Sequence, residues 1–126
     1  MTDEFEALME GVELPPKAKK KPSKSNVQRS LEHLRKLGYK CAIVEKWNAH
    51  VKIRQDLFGF LDLLCLRKGE ALGVQCCSGS TLAEHRDKIA NHENVGFVRE
   101  AGIRIELHAW SKRADGKYHV RVEDLS

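Results

Sequence analysis

Apolar residues recur every three or four positions after residue 26. Just before them, Ser25 and Gln28 have the form of a capping box, in which the two side chains close free amide groups at the start of a helix. Gly38 follows the last apolar position and supplies the left-handed conformation that ends many helices. This pattern predicts a helix over residues 26–37.

Short apolar runs that are typical of strands follow this helix. Residues 39–47 form a run too short for a helix, and their β-branched and aromatic content predicts a strand. Residues 48–56 are polar and predict a loop or a hairpin arm. The segments 58–67 and 71–77 are almost wholly apolar, as in strands covered on both faces, and the turn residues between them predict a central hairpin.

The last part of the chain returns to a helical pattern and then to strands. Residues 81–91 carry helix-forming side chains, and residues 95–102 predict a further helical turn or two. Residues 103–110 alternate between apolar and polar side chains, which predicts a half-buried strand. After an Asp-Gly turn, residues 118–122 predict a last strand at an edge. The predicted order is helix, three strands, helix and one or two strands, an α/β fold.

Length and charge place these elements in one domain. The chain has 126 residues with 32% charged side chains and a formal charge of +4, and single domains commonly have about 100 to 150 residues. Residues 1–24 combine prolines with Lys19, Lys20 and Lys21, which predicts a flexible charged arm before a domain at 25–126. The lysines predict either a non-specific phosphate contact or a solvated tail. The mild basic excess permits nucleic-acid binding without demanding it.

The sequence also bears on location and on the cysteines. It has no apolar run of the roughly 20 residues that a bilayer span needs, and its start is acidic where a signal peptide is basic. We therefore expect a cytoplasmic protein without a membrane partner. The four cysteines lie inside apolar runs and predict reduced, buried thiols. A zinc site is disfavoured because the adjacent Cys76 and Cys77 point to opposite faces of a strand.

An acidic residue interrupts the most apolar predicted strand. Asp62 lies within FGFLDLLCL, where a carboxylate must be paired, protonated or bound to a metal. Gln75 is polar within the returning strand, and a tight turn brings the two residues into neighbouring positions. Asp62, the Gln75 amide oxygen and the Cys76 carbonyl could hold one or two Mg²⁺ or Mn²⁺ ions. The alternative is a structural network in which Asp62 accepts from backbone amides and from Gln75.

This pattern resembles the PD-(D/E)XK, or restriction-endonuclease-like, nuclease superfamily, and within it the Holliday junction resolvase-like proteins. The resemblance covers about residues 26–112 and depends on GFLD, on the return strand GVQCC and on the loop and helix that follow. It implies a mixed central sheet flanked by helices. In the family, an aspartate on the second strand and an acidic residue on the third bind metal, and a lysine two positions later activates the nucleophile. Asp62 matches the aspartate, whereas Gln75 occupies the acidic position and Cys77 the lysine position.

These two departures weaken the implied site, because an amide adds no charge and a thiol supplies no fixed positive charge. The missing lysine could be replaced by Arg86 on the second helix or by Lys46 on the first strand. Lys88 is predicted to point away into solvent. Many family members also have a glutamate on the first helix, where Glu32 is predicted to be a surface residue and Gln28 flanks the apolar stripe.

The polar segment before the central hairpin interleaves basic residues with an aromatic residue. Such a composition suits contacts with a phosphate backbone. The candidate nucleic-acid-binding residues are Lys46, Trp47, Lys52 and Arg54. The alternative is that Trp47 belongs to the core and that the charges are an ordinary surface.

The leading functional prediction is a Mg²⁺- or Mn²⁺-dependent endodeoxyribonuclease that hydrolyses phosphodiesters in DNA, including branched DNA. Asp62 and Gln75 would hold the metal, with Cys77, Arg86 and Lys46 as the other candidate site residues. A second hypothesis is a catalytically inactive nucleic-acid-binding module of the same fold, and a third is a structural or protein-interaction domain. Resolvase-like folds often pair, so the resemblance is compatible with a homodimer.

Overall fold

The computed structural model describes residues 24–126, and the predicted arm with its lysines lies outside the described residues apart from Lys24. In chain order the elements are α1 (Asn26–Lys36), β1 (Lys40–Ile43), β2 (Lys46–Asn48), β3 (Ile53–Gln55), β4 (Leu63–Arg67), β5 (Glu70–Ser78), a 3-10 turn (Gly79–Thr81), α2 (Leu82–Ala90), α3 (Val95–Glu100), β6 (Arg104–Lys112) and β7 (Tyr118–Asp124). No helix described in residues 24–126 has both the length and the apolar surface needed to cross a membrane.

Five strands form one mixed sheet in the order β1-β4-β5-β6-β7. The pairs β1/β4 and β4/β5 are antiparallel, and β6 then returns parallel to β5 after α2 and α3. The strand β7 pairs antiparallel with β6 and forms the edge. An α/β fold with a mixed sheet flanked by helices is therefore present, and the prediction of a last edge strand is confirmed.

The sheet separates two apolar cores. On one face, α1 places Leu31 and Leu34 against buried side chains of β4 and β5. On the other face, Ile89 of α2 packs with Phe60, Leu61 and the inner side chains of β6. Because successive strand residues point to opposite faces, β5 contributes to both cores, and its sequence reads as a continuous apolar run.

The first helix agrees with its sequence pattern. The backbone amide of Gln28 donates to the Ser25 hydroxyl at 3.1 Å, which closes one free donor at the helix start. The helix ends at Lys36, and Gly38 has φ +93°. The predicted boundaries of 26–37 are therefore within one residue of those observed.

The strand predicted over residues 39–47 is wrong in its length. Only Lys40–Ile43 join the large sheet, and β2 then pairs with β3 in a separate two-stranded sheet. The reason lies in the polar character of residues 46–55, since this segment has few apolar side chains to bury in either core. It projects as a hairpin whose base lies beside Asp62.

The strand predicted over residues 58–67 is also shorter in the structure. Phe58 and Gly59 have positive φ angles of 55° and 89°, and β4 begins only at Leu63. The loop is apolar because it inserts Phe60 and Leu61 into the core, not because it belongs to a strand. Leu61 packs on β5 at Gly73, where a Cβ atom would lie 2.7 Å from its methyl carbons.

The strand predicted over residues 103–110 is confirmed, and its expected inward residues Ile105, Leu107 and Ala109 are buried. The expectation that its other face is open to solvent is wrong. His108 is fully buried beneath α1, on the face that the alternating pattern assigned to solvent. Its Nδ1 lies 2.9 Å from the Ser30 hydroxyl, and its Nε2 lies 3.0 Å from Glu106 Oε1. Trp110 Nε1 donates to the same Ser30 oxygen at 2.8 Å. A closed polar network thus supports α1 on the sheet.

Candidate metal centre

The candidate site lies where β4 begins between β1 and β5. Leu63 pairs with Val74 in antiparallel register, so the preceding residue, Asp62, lies opposite Gln75. The Asp62 amide donates to the Val74 carbonyl at 2.8 Å, and the Asp62 carbonyl accepts from the Val44 amide at 2.9 Å. The structure therefore brings Asp62 and Gln75 together, as expected, although Asp62 precedes the strand instead of lying in its middle.

The Asp62 carboxylate is 4% exposed and has two donors on one oxygen. Its Oδ2 accepts from Gln75 Nε2 at 3.1 Å and from the Cys76 backbone amide at 2.8 Å. Because the N–H and C=O of one strand residue point to the same edge, the Cys76 carbonyl also faces this notch. The hydrogen bonds of the structural alternative are present, but they occupy only one of the two carboxylate oxygens.

Two further carboxylates complete an acidic cluster. Oxygen atoms of Glu45, Asp56 and Asp62 all lie within 4.8 Å of one another. Glu45 precedes β2 and Asp56 follows β3, and the pairing of Lys46 with Gln55 places these two flanking residues opposite each other. Sequence reasoning missed both residues. Their position at the two ends of one polar hairpin is the signal that could have found them.

Burial and the charges of neighbouring carboxylates raise the pKa values of Asp62 and Asp56. Burial raises the pKa of Asp62 to about 6, the Cys76 amide and Gln75 lower it, and the charges of Asp56 and Glu45 raise it further. Burial and the Glu45 charge also raise the pKa of Asp56, whereas the Lys88 ammonium lowers it. A bound cation would relieve this repulsion.

An unpartnered oxygen adds an independent indication of a ligand. Gln75 is 4% exposed, and its Oε1 is buried without a hydrogen-bond partner among the residues that the structure describes. A buried polar atom without a partner costs about 1 to 3 kcal/mol. The same amide group donates to Asp62, so the unpartnered oxygen belongs to a side chain of the cluster. A cation held by the carboxylates could be coordinated by this oxygen.

The donor atoms favour a hard cation. Carboxylate, amide and backbone oxygens are the ligands that Mg²⁺ and Mn²⁺ prefer. Burial raises the pKa of the Cys76 thiol to about 12 and also raises the pKa of Cys77. Neutral thiols are poor metal ligands, so the cluster suits magnesium or manganese better than zinc.

The candidate replacements for the missing lysine lie in different places. Arg86 forms a two-bond ion pair with Glu123 on β7, at 2.7 and 2.8 Å, and not with Asp62. Lys46 is exposed on the projecting hairpin. Lys88 is exposed, as expected, yet its charge acts on Asp56. It is the basic residue that sequence reasoning set aside.

Four of the predicted nucleic-acid-binding residues lie on the projecting hairpin, namely Lys46, Trp47, Lys52 and Arg54, whereas Lys19, Lys20 and Lys21 lie outside the described residues. Trp47 is 60% exposed, so the alternative that placed it in the core is wrong. Arg54 Nη1 bonds Glu45 Oε1 at 3.0 Å, which ties this arginine to the acidic cluster. Lys52 lies between β2 and β3 with φ 55°. Contact of these side chains with DNA stays a prediction.

The raised pKa of Asp62 predicts a pH-dependent stability in chelator. Unfolding returns this group to its ordinary pKa of 3.8 from about 6, so the folded state favours the protonated form. Stability from this group is full below about pH 4 and is lost as the pH rises through about 6, a change of about 3 kcal/mol. Urea unfolding measured across this range should show the loss, and Asp62→Asn should remove it. An unchanged slope in Asp62→Asn would contradict this assignment.

Comparison with protein-family models, with curated proteins and with solved structures found no match. A functional proposal therefore depends on the geometry and charge of the cluster itself.

Proposed function

We propose that the protein is a divalent-metal-dependent endodeoxyribonuclease whose metal is held by Glu45, Asp56 and Asp62. The observation that carries the proposal is the combination of three carboxylates within 4.8 Å and the buried, unpartnered Oε1 of Gln75. Like charges packed in a partly buried notch are stabilised most by a cation among them. An arrangement that only supported the fold would not need three acidic groups at this point.

The order of elements supports a restriction-endonuclease-like core. Apart from the projecting β2/β3 hairpin, the chain order is α1, the antiparallel strands β1, β4 and β5, the helices α2 and α3, and then β6, which is parallel to β5. The order of helix, three strands, helix and strand and the mixed sheet agree with what the resemblance implies. The charge lost by having Gln75 at the acidic position is supplied by Glu45 and Asp56, two carboxylates from the base of the hairpin.

Each group of the cluster has a distinct role in the proposed hydrolysis. The three carboxylates bind the cation, and the Cys76 amide and Gln75 orient Asp62 through its Oδ2. A divalent cation there would neutralise charge that develops on the phosphate in the transition state. Lys88, whose charge lowers the pKa of Asp56, is the proposed replacement for the lysine absent at position 77, to which the resemblance gives the role of activating the nucleophile. The resemblance extends this proposal to branched DNA and to a homodimer.

A second candidate function is a nucleic-acid-binding module without catalysis. It is favoured by the two donors that already hold Asp62 Oδ2 and by the Arg54 guanidinium that neutralises part of the charge of Glu45. Such a module would keep its binding surface and its fold, but it would bind no divalent cation tightly.

The first test is Mn²⁺ binding measured by isothermal titration calorimetry. Glu45→Gln should weaken Mn²⁺ binding by about tenfold, because it removes one of three charges from the site. The matched control is Glu93→Gln, which removes the same charge from an exposed residue outside the cluster. Equal Mn²⁺ affinity in Glu45→Gln and the unmodified protein would exclude Glu45 as a ligand.

The second measurement separates the two candidate functions. Labelled linear, single-stranded and four-way-junction DNA are incubated with the protein in Mn²⁺ or in chelator. Cleavage that occurs in Mn²⁺ and not in chelator supports the nuclease. The relative cleavage rates of the three substrates test the expectation that branched DNA is preferred. If the protein binds DNA but neither cleaves it nor binds Mn²⁺, the nuclease is excluded and the non-catalytic binding module is supported.

A further inference from the structure

A long open groove runs between α1 and the β6/β7 hairpin. It consists of two adjoining cavities of about 590 and 470 Å³, which share Lys24, Arg29, Trp110 and Tyr118 in their walls. We call it the basic groove. Because two cavities join along common walls, its shape suits an extended chain better than a small compact ligand.

Positive charge dominates the walls of this groove. The basic side chains are Lys24, Arg29, Lys36, Lys112 and Arg113, together with two histidines. Glu32 also lies in the lining, but it is paired with Lys24 at 2.9 Å. A surface of this kind attracts a polyanion through the release of its counterions.

Two charges on the helix side lie on one face of α1. Arg29 and Lys36 are seven positions apart, and His33 between them is uncharged because burial lowers its pKa. Seven residues of helix cover about 10 Å. Arg29 and Lys36 therefore place two positive charges about 10 Å apart along one side of the groove.

Two aromatic side chains form the floor of the groove and are held in place. Arg29 stacks on Tyr118, with its guanidinium carbon 3.5 Å from the ring centre. Trp110 donates to the buried hydroxyl of Ser30. Aromatic side chains beside basic ones are typical of surfaces that bind single nucleic-acid strands, because bases stack and phosphates pair. An acidic peptide would use the charges but would have no need of the aromatic floor.

The basic groove meets the end of β5 that carries the metal centre. Ser78 lines the groove, and Cys76, two residues earlier, donates to Asp62. The Asn26 side chain at the start of α1 lies 3.5 Å from the Ser78 hydroxyl. Two residues of strand span about 7 Å, so the Ser78 end of the groove lies about this far along β5 from the backbone amide that donates to Asp62.

We propose that the basic groove binds the phosphate backbone of a single nucleic-acid strand and leads it to the Glu45, Asp56 and Asp62 cluster. This inference rests on the proposed function, because it assigns the surface that holds the substrate of that site. It also places the main binding surface on α1, β6 and β7, and not on the hairpin of Lys46, Trp47, Lys52 and Arg54.

The test is fluorescence anisotropy with a labelled single strand of about 16 nucleotides, performed in chelator with the full chain. The groove variant carries Lys36→Gln and Lys112→Gln. Its affinity should fall by about tenfold or more, and the slope of log affinity against log salt should decrease by about two. The control variant carries Lys40→Gln and Lys68→Gln, which remove the same charge from the opposite end of the sheet, and it should bind as the unmodified protein does.

Several outcomes would overturn the inference. These are equal weakening in the two double variants, no weakening in the groove variant, tighter binding of duplex than of single strand, or displacement of the strand by polyglutamate at equal charge. Circular dichroism of each variant checks that it is folded. Binding in chelator is independent of the metal centre, so an unmodified protein that binds Mn²⁺ but does not bind the labelled single strand refutes the inference alone. The opposite result refutes the proposed function alone.

Discussion

Asp62→Asn is expected to abolish Mn²⁺-dependent DNA hydrolysis, with a fall in rate of about a thousandfold or more. The same substitution is expected to stabilise the metal-free protein near pH 8 by about 3 kcal/mol, since it removes a buried charge whose pKa is raised to about 6. Loss of activity together with a gain in stability is characteristic of a functional residue that the fold tolerates at a cost.

The surroundings of Asp62 explain why the amide should be accommodated. The Asn oxygen can accept from Gln75 Nε2 and from the Cys76 amide, as Asp62 Oδ2 does. The new NH₂ group then takes the place of the second carboxylate oxygen and adds a donor within the acidic cluster. The fold keeps its hydrogen bonds while the cluster loses one charge.

Two measurements check this expectation on the same preparation. Cleavage of labelled DNA in Mn²⁺ gives the rate, and urea unfolding in chelator at pH 8 gives the free energy. The matched control is Asp87→Asn, an exposed aspartate on α2 outside the cluster, which should change neither quantity appreciably. A variant with nearly full cleavage would eliminate Asp62 from the catalytic site, and a variant that unfolds easily would show that the carboxylate has a structural role.

The parts of the fold that could be predicted from sequence are those set by local pattern. The helix start at Ser25 and the central turn near Gly69 depend on residues within a few positions of each other. The neighbouring positions of Asp62 and Gln75 followed from counting along a hairpin with a tight turn. Register in such a hairpin is fixed by its turn, so the inference needed no distant contact.

The misread segments are those whose surroundings are set by distant residues. The loop before Asp62 is as apolar as a strand, because Phe60 and Leu61 enter the core beside Ile89, nearly thirty positions later in the chain. His108 alternates with apolar neighbours as an exposed residue would, yet Ser30 covers it, 78 positions earlier. Apolar content and periodicity record burial, but not which element provides it.

Glu45 and Asp56 were missed for a related reason. Each lies in a polar segment where acidic side chains are ordinary, and only the pairing of β2 with β3 places them opposite each other beside Asp62. The resemblance directed attention to position 75, where the family has a carboxylate. In this chain the additional negative charge comes from Glu45 and Asp56 at the base of the projecting hairpin. The sequence pattern predicts only a loop or a hairpin arm there.

Gln75→Glu is the sharpest test of this redistribution of charge. The substitution removes the amide hydrogen bond to Asp62 and adds a fourth carboxylate to the notch. Without metal, an uncompensated buried charge should destabilise the protein by about 3 to 5 kcal/mol near pH 8. With Mn²⁺, the additional charge should raise the affinity by about tenfold or more, so stability should return as Mn²⁺ is added.

Thermal and urea unfolding in chelator and in Mn²⁺ provide the measurement, with calorimetric titration of Mn²⁺ alongside. Gln75→Met is the matched control, because it keeps the length of the side chain and adds no charge. The missing hydrogen bond and the removal of the unpartnered Oε1 should largely offset each other, which leaves the stability in chelator within about 1 kcal/mol of the unmodified protein, with no gain in Mn²⁺ affinity. If Gln75→Glu is destabilised equally with and without Mn²⁺, position 75 does not face the ion. The buried Oε1 would then be a defect that the fold tolerates, and the acidic cluster would lose the independent observation that identifies it as a metal centre.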